Sequence, residues 1–280
     1  MGQLADVKLI CMDMDGTLFG SGEQIPEINL YALRRARERG IRLALVSGRN
    51  WRFLAQHANA IAPGIAIVSA NGARIDEQPG GKCIFEASFT PVFADKVSRV
   101  LWDSGLNYEV YTDRCNYSFR SERVTPQHAS SLKKYLQKGQ VARLVLRKGP
   151  EVSDISGIYK FVAFCDEPER IAALQKALDE KEIVHSSSSA QNVEVMPEGV
   201  GKGRAVALLA RHFGIPIGDT LAFGDYTNDI DMLKSAGHGI AMENAVPALK
   251  AVAEALTCDN RSGGVGRFIL EHVLEEPTNA

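Results

Sequence analysis

Short apolar runs alternate along this chain with stretches in which apolar residues recur at helical spacing. The first run, Leu9-Ile10-Cys11-Met12, stops abruptly at Asp13, Asp15 and Gly16. A continuously apolar run with a sudden polar end predicts a buried strand whose carboxyl edge faces a ligand crevice. Ile28, Tyr31 and Ala32 then give a helical stripe stopped at Gly40, followed by a strand over 41–46 and a helix over 51–62. A third strand over 65–68 runs into Ser69-Ala70-Asn71-Gly72. Strands separated by helices imply right-handed crossovers and a parallel sheet, whose strands are apolar on both faces. The same grammar returns late in the chain. Val206, Leu209, Ala210 and Phe213 form a stripe closed by Gly214, a strand over 220–223 enters Gly224-Asp225, and Gly239-Ile240-Ala241-Met242 leads to a last helix near 268–273.

Between these two halves the pattern changes. Val97, Val100 and Leu101 mark a helix stopped by Gly105, then strands follow over 108–111 and 117–120. Thr125-Pro126 opens a further helix as cap and first-turn proline, strands lie near 141–146 and 160–165, Pro168 begins another helix, and 182–185 reads as a strand. An insertion of this size and content is a domain. The expected fold class is therefore α/β, a Rossmann-like parallel-sheet core with an inserted α/β cap domain. The expected division is core over 1–78, cap over 79–190 and core again over 191–280. Ser186 to Ser189 reads as a flexible hinge back into the core in preference to a phosphate-binding cluster.

Composition narrows the classes. The chain has 280 residues, 45% of them apolar, and a net charge of −2 without blocks of like charge, which argues against nucleic acid as a partner. No apolar run reaches the ~20 residues of a membrane span, so a soluble cytoplasmic protein is expected, working as a monomer or weak homodimer. Five scattered cysteines, never in Cys-x-x-Cys spacing, indicate neither a zinc site nor a disulfide framework.

Four segments carry chemistry. Asp13 and Asp15 sit one residue apart at a strand end, and alternation cannot point both the same way, so Asp15 lies on the turn that Gly16 permits. One carboxylate can then attack phosphorus while the other transfers a proton to the leaving oxygen. Ser47-Gly48 offers a hydroxyl and backbone amides before a helix, a phosphate-binding arrangement, although Ser47 also reads as a plain helix N-cap. Lys202, in a glycine-rich loop opening a helix, is either a charge-stabilising cation or a solvated lysine. The loop lacks the Walker pattern, because Met196 and Gly203 occupy positions that would need glycine and Ser or Thr. Asp225 and Asp229, after a strand, join Asp13 in an acidic cluster that calls for a cation, and oxygen ligands of this kind suit magnesium better than zinc. Asp229 alone also reads as a helix-start acid.

Taken in order, Asp13-Met14-Asp15-Gly16-Thr17-Leu18, Ser47-Gly48-Arg49, Asn71-Gly72, Lys202 and Gly224-Asp225-Tyr226-Thr227-Asn228-Asp229, with Ala241-Met242-Glu243-Asn244-Ala245, resemble the haloacid dehalogenase superfamily. The resemblance is to its Cof-like sugar-phosphatase branch with a type II cap. It implies Asp13 as nucleophile, Asp15 as acid and then base, and Lys202 and Ser47 as stabilisers of phosphate and carboxylate. It also implies Gly48, Asn71, Gly72 and Asn228 around the phosphate. Magnesium would be held by Asp13, the Asp15 carbonyl and Asp225, with Asp229 joining the metal site or orienting Lys202. Tyr226 fills a position that is often smaller in that family. The activity so implied is a magnesium-dependent phosphatase acting on a small phosphorylated metabolite. A phosphotransferase or mutase on the same core, and a regulator that binds a phosphometabolite without turnover, are the alternatives.

Overall fold

The computed structural model describes residues 4, 6–113, 115–119 and 144–278. Its first half runs β1 (Leu9–Met12), α1 (Glu27–Glu38), β2 (Arg42–Val46), α2 (Trp51–Ile61) and β3 (Ala66–Ser69), then the short strands β4 (Arg74–Asp76) and β5 (Cys83–Glu86). Next come α3 (Pro91–Asp103), β6 (Asn107–Tyr111), β7 (Asn116–Phe119), β8 (Leu144–Arg147), β9 (Lys160–Phe164), α4 (Pro168–Asp179) and β10 (Asn192–Val195). The chain closes with α5 (Lys202–Phe213), β11 (Thr220–Gly224), α6 (Ile230–Ser235), β12 (His238–Met242), α7 (Pro247–Lys250), β13 (Ala255–Thr257) and α8 (Gly264–Phe268).

One sheet has the order β13-β12-β11-β1-β2-β3-β4-β5, parallel from β13 to β3 and antiparallel over β4 and β5. Its central strand β1 is fully buried, as a strand flanked on both sides and covered on both faces must be. The chain leaves β1 toward β2 in the first half and returns beside it as β11 in the second. The carboxyl end of β1 is therefore a topological switch point, where neighbouring connections part and open a crevice.

The second sheet, β10-β9-β6-β7-β8, is antiparallel apart from the β7/β8 pair. Its strands alternate with period two. Tyr108, Val110, Phe161, Ala163, Val193 and Val195 face α3 and α4, where Val97, Leu101, Leu174 and Leu178 complete an apolar core of its own. The intervening Glu109, Lys160, Asn192 and Glu194 are polar and nevertheless buried, because the opposite face of this sheet lies against the first domain.

The partition differs from the sequence expectation at both ends. The first sheet retains β4 and β5, so the inserted domain begins after residue 86 and not at 79. β10, expected in the core, pairs with β9 and belongs to the insert, because Val193 and Val195 complete the apolar face of that sheet. The strand expected over 182–185 does not form; only Ser186 bridges Glu194. Ser186 to Ser189 is not a loose hinge either: the Ser187 hydroxyl donates to Asn192 O at 2.8 Å and Ser188 Oγ to Glu194 Oε1 at 3.1 Å. The helix expected from Thr125-Pro126, and the ends of the strands expected at 120 and 141–143, lie outside the described residues.

Two separate apolar cores make a local-stability expectation. Leu101→Ala, at a fully buried position of the insert, should cost about 2–5 kcal/mol. Hydrogen exchange should show faster amides in α3, β6 and β9, with β1, β2 and β11 unchanged; uniform loss of protection across both sheets would contradict the two-core description.

Candidate active site

The in-register pairing of Met12 with Leu45 and Phe223 places the ends of β1, β2 and β11 side by side, so Asp13, Ser47 and Asp225 leave the sheet at one level. After Asp13 the backbone turns through Gly16 at φ +81°, and a Cβ there would overlap the Asp225 carboxylate. Glycine is thus required twice over, by conformation and by contact. Thr17 Oγ1 donates to Asp225 Oδ1 at 2.8 Å, and Asn244 Nδ2 donates to the Gly16 carbonyl at 2.8 Å, so both sides of the turn are held.

Lys202 opens α5 and is almost completely enclosed, with 1% of its side chain exposed. Its ammonium donates to Asp13 Oδ1 and to Asp229 Oδ1, each at 2.6 Å. The reading of Lys202 as a solvated lysine is therefore set aside. Burial would lower its pKa, but the charges of Asp13 and Asp229 outweigh that and raise it, keeping the ammonium protonated. Asp229 also accepts from the backbone amides of Asp225 and Tyr226 through Oδ2, at 3.0 and 3.1 Å, so both its oxygens are engaged. Gly72 is close to this loop but absent from the cavity wall: a Cβ on it would strike the Gly201 carbonyl. The position expected to border phosphate instead lets the Asn71-Gly72 turn approach the loop bearing Lys202.

Asp15 points outward, half exposed, and meets Arg49 in a two-pronged pair, Nε to Oδ2 at 2.9 Å and a terminal nitrogen to Oδ1 at 2.7 Å. Desolvation in the crevice would push its carboxyl up, but the Arg49 charge and hydrogen bonds, aided by Lys202 and Lys160, hold it below the ordinary carboxylate value. Ser47 is buried and accepts from the Arg49 amide at 3.3 Å; it is not the cap of α2, because Asn50 Oδ1 takes the Phe53 amide at 3.1 Å. Asp13, Asp15, Ser47, Gly48 and Asn228 open onto a cavity of about 380 Å³, roofed by residues of the inserted domain.

That roof joins the floor through charge. Lys160 Nζ donates to Glu194 Oε1 and to the Gly48 carbonyl, both at 2.8 Å, and Asn71 Nδ2 donates to Glu194 Oε2 at 2.6 Å. Asn71 itself is thus spent on the seam between the domains, with Asn228 Nδ2 3.5 Å from its Oδ1. Sequence reasoning missed Arg49 as a partner of Asp15, and Lys160 and Glu194 altogether. The signal for the last two was a charge inside an apolar strand, Lys160 before Phe161-Val162-Ala163-Phe164 and Glu194 between Val193 and Val195.

Asp13, Asp225 and Asp229 each offer an oxygen, all within 4.8 Å of one another, a set of hard donors able to hold a metal ion. Burial pushes the Asp225 carboxyl up to about 7, with Asp229 adding, and Thr17 and Lys202 opposing. Burial likewise raises Asp13, with Lys202 opposing and the other three acids adding. One ammonium does not balance this cluster, so a cation fits it. Because Asp229 has both oxygens taken, Asp13 and Asp225 are the better direct ligands.

Fold and site together define a doubly wound α/β enzyme core whose switch point is covered by an inserted α/β lid. The chain belongs to the haloacid dehalogenase-like hydrolase family, whose model matches residues 10–269. It is 32% identical over 245 residues to an HMP-PP phosphatase of Cronobacter sakazakii, covering 87% of each chain. It is 30% identical over 277 residues to an HMP-PP phosphatase of Citrobacter koseri, covering 96% of this chain and 97% of that one. A solved haloacid dehalogenase-like hydrolase from B. subtilis superposes with a TM-score of 0.81 at 26% identity, covering 94% of this chain and 99% of that one. Among the described residues no helix is long and apolar enough to cross a membrane.

A carboxyl raised to about 7 must shed its proton to become a metal ligand. Magnesium binding between pH 6 and 7 should therefore release protons, and affinity should rise with pH through this window. Titration calorimetry in buffers of different ionisation enthalpy reads the proton count; no release at pH 6.5 would mean that Asp225 is already ionised before the cation binds and is not raised by its burial.

Proposed function

We propose that this chain is a magnesium-dependent phosphatase that cleaves a small phosphate monoester through an aspartyl-phosphate on Asp13. The observation that carries the reading is the Lys202 ammonium, bonded to Asp13 Oδ1 at the switch point. It fixes the carboxylate and leaves Oδ2, which has no protein hydrogen bond among the described residues, for the substrate. A cavity of about 380 Å³ suits a small metabolite. The names of the relatives make HMP-PP the first compound to assay, beside sugar phosphates.

In the first step Asp13 Oδ2 attacks phosphorus as the bond to the leaving oxygen breaks, and Asp15 gives that oxygen its proton. In the second, Asp15 takes a proton from water, whose oxygen attacks phosphorus and releases Asp13. While Arg49 holds it, Asp15 is anionic and can only accept a proton. To act as donor it must first be released from Arg49, which the incoming phosphate anion can draw away, and then take up a proton from solvent or from a monoanionic ester. Ser47 and the amides around Gly48 hold the phosphoryl oxygens, and Lys202 offsets their charge. Magnesium, held by Asp13, Asp225 and the Asp15 carbonyl, would supply further positive charge beside those oxygens.

Asp13→Asn removes the nucleophile and should abolish turnover. Asp15→Asn should lower kcat by about 10²–10⁴-fold. Steady-state release of phosphate by folded variants measures both, and a loss under threefold for Asp15→Asn would refute its role.

Chelation should silence the enzyme, with magnesium restoring it and calcium failing, because a looser and longer coordination shell misplaces the nucleophile. Phosphate release from HMP-PP, and from a panel of sugar phosphates, with and without chelator is the measurement. Full activity after chelation would count against the metal-dependent reading.

A further inference from the structure

The mechanism above leaves one buried cation unused. Lys160 stands at the start of β9 on the polar face of the inserted sheet, with 3% of its side chain exposed. Two of its three N–H donors have acceptors, Glu194 Oε1 and the Gly48 carbonyl. Beyond these the ammonium meets only the face of the Tyr111 ring, 4.9 Å from Nζ, with no third hydrogen-bond acceptor among the described residues, and Lys160 lines the cavity together with Asp15, Ser47 and Gly48. It stands so close above the phosphate loop that a Cβ on Gly48 would lie 3.0 Å from Nζ. Its charge is also felt at Asp15.

Burying an ammonium costs several kcal/mol unless it is paired. Glu194 supplies the pairing, and Glu194 is itself held by Asn71 at 2.6 Å and Ser188 at 3.1 Å. A bond that only tied lid to core would not need a charge with a donor left over at the cavity wall. A neutral amide could bridge Gly48 and Asn71 at smaller desolvation cost.

We propose that Lys160 is a substrate-binding residue delivered by the lid, donating its third N–H to a phosphoryl oxygen of the ester seated over Ser47 and Gly48. Glu194 is its positioning residue. The inference rests on the phosphatase reading and deepens it: the phosphate site is complete only when the inserted domain is seated, so binding and lid closure are one event. The ion pair is neutral as a unit, which lets the lid add a strong donor without adding net charge that would hold the product.

The test compares the wild type with Lys160→Met, Glu194→Gln and the double variant, all with magnesium present. The double variant removes both charges and leaves no unpaired buried ion, so it serves if Lys160→Met alone does not fold. Glu194→Gln breaks the same seam but keeps the ammonium. Two quantities are read: kcat/KM for p-nitrophenyl phosphate, and the affinity of inorganic phosphate by calorimetry, which does not depend on turnover.

A hydrogen bond from a charged donor implies a loss of roughly 10- to 100-fold in both quantities for the double variant. Glu194→Gln, which keeps the ammonium but removes the carboxylate that positions it, should lose activity and phosphate affinity too, but less than the double variant. Equal losses in Glu194→Gln and the double variant, or unchanged phosphate affinity in the double variant, would make Lys160 a structural tie and overturn the proposal. If the wild type hydrolyses no ester, the phosphatase reading fails, while the phosphate affinities still decide whether Lys160 binds the anion.

Discussion

A single ammonium, that of Lys202, sets what the centre of this molecule can be. An ion with 1% exposure is tolerated only if its charge is answered at contact, and Asp13 and Asp229 answer it at 2.6 Å. Asp13 follows β1, Asp229 immediately precedes α6 and the lysine starts α5, so the three elements must meet at one point. The surroundings serve that meeting. Asp231 accepts from the Gly203 amide at 2.9 Å and fixes the first turn of α5, and Gly72 leaves room for the Gly201 carbonyl. Asp13 is then held at the end of β1 by the Lys202 contact, as its proposed role of nucleophile requires.

The same interaction leaves a debt of charge. Asp225 adds a third carboxylate to a site with one fixed cation, and burial raises it toward neutrality. The divalent ion of the proposed mechanism would supply the missing positive charge. At the mouth the Arg49–Asp15 pair keeps the outer acid ionised.

The inserted domain follows another logic. Its apolar face is satisfied by α3 and α4, whereas its other face carries Glu109, Lys160, Asn192 and Glu194, all buried. Polar groups stay buried only where partners exist, and here those partners include Gly48 and Asn71 of the core. Seated on this site, the lid finds partners for that polar face, and its sheet needs β10, contributed by the chain on its way back to the core.

What the sequence by itself determined was local and periodic. The apolar runs of β1 and β2, the stripe of α5 and the acid-glycine turns after β1 and β11 follow from alternation, 3.6-residue spacing and the conformational needs of Gly16. The order of the motifs named the family. Tertiary structure decided whatever depends on residues far apart meeting. It settled whether Lys202 is solvated or buried against an aspartate 189 residues away, and it brought Asn71 to Glu194 across 123 residues. It also showed whether Asp15 stands alone or under Arg49. Period and propensity describe one segment and its faces, so they placed the strands. Charge pairing at 2.6–2.9 Å depends on how separate segments pack, so the electrostatic state of the site, and the boundary of the lid, were fixed only by the folded chain.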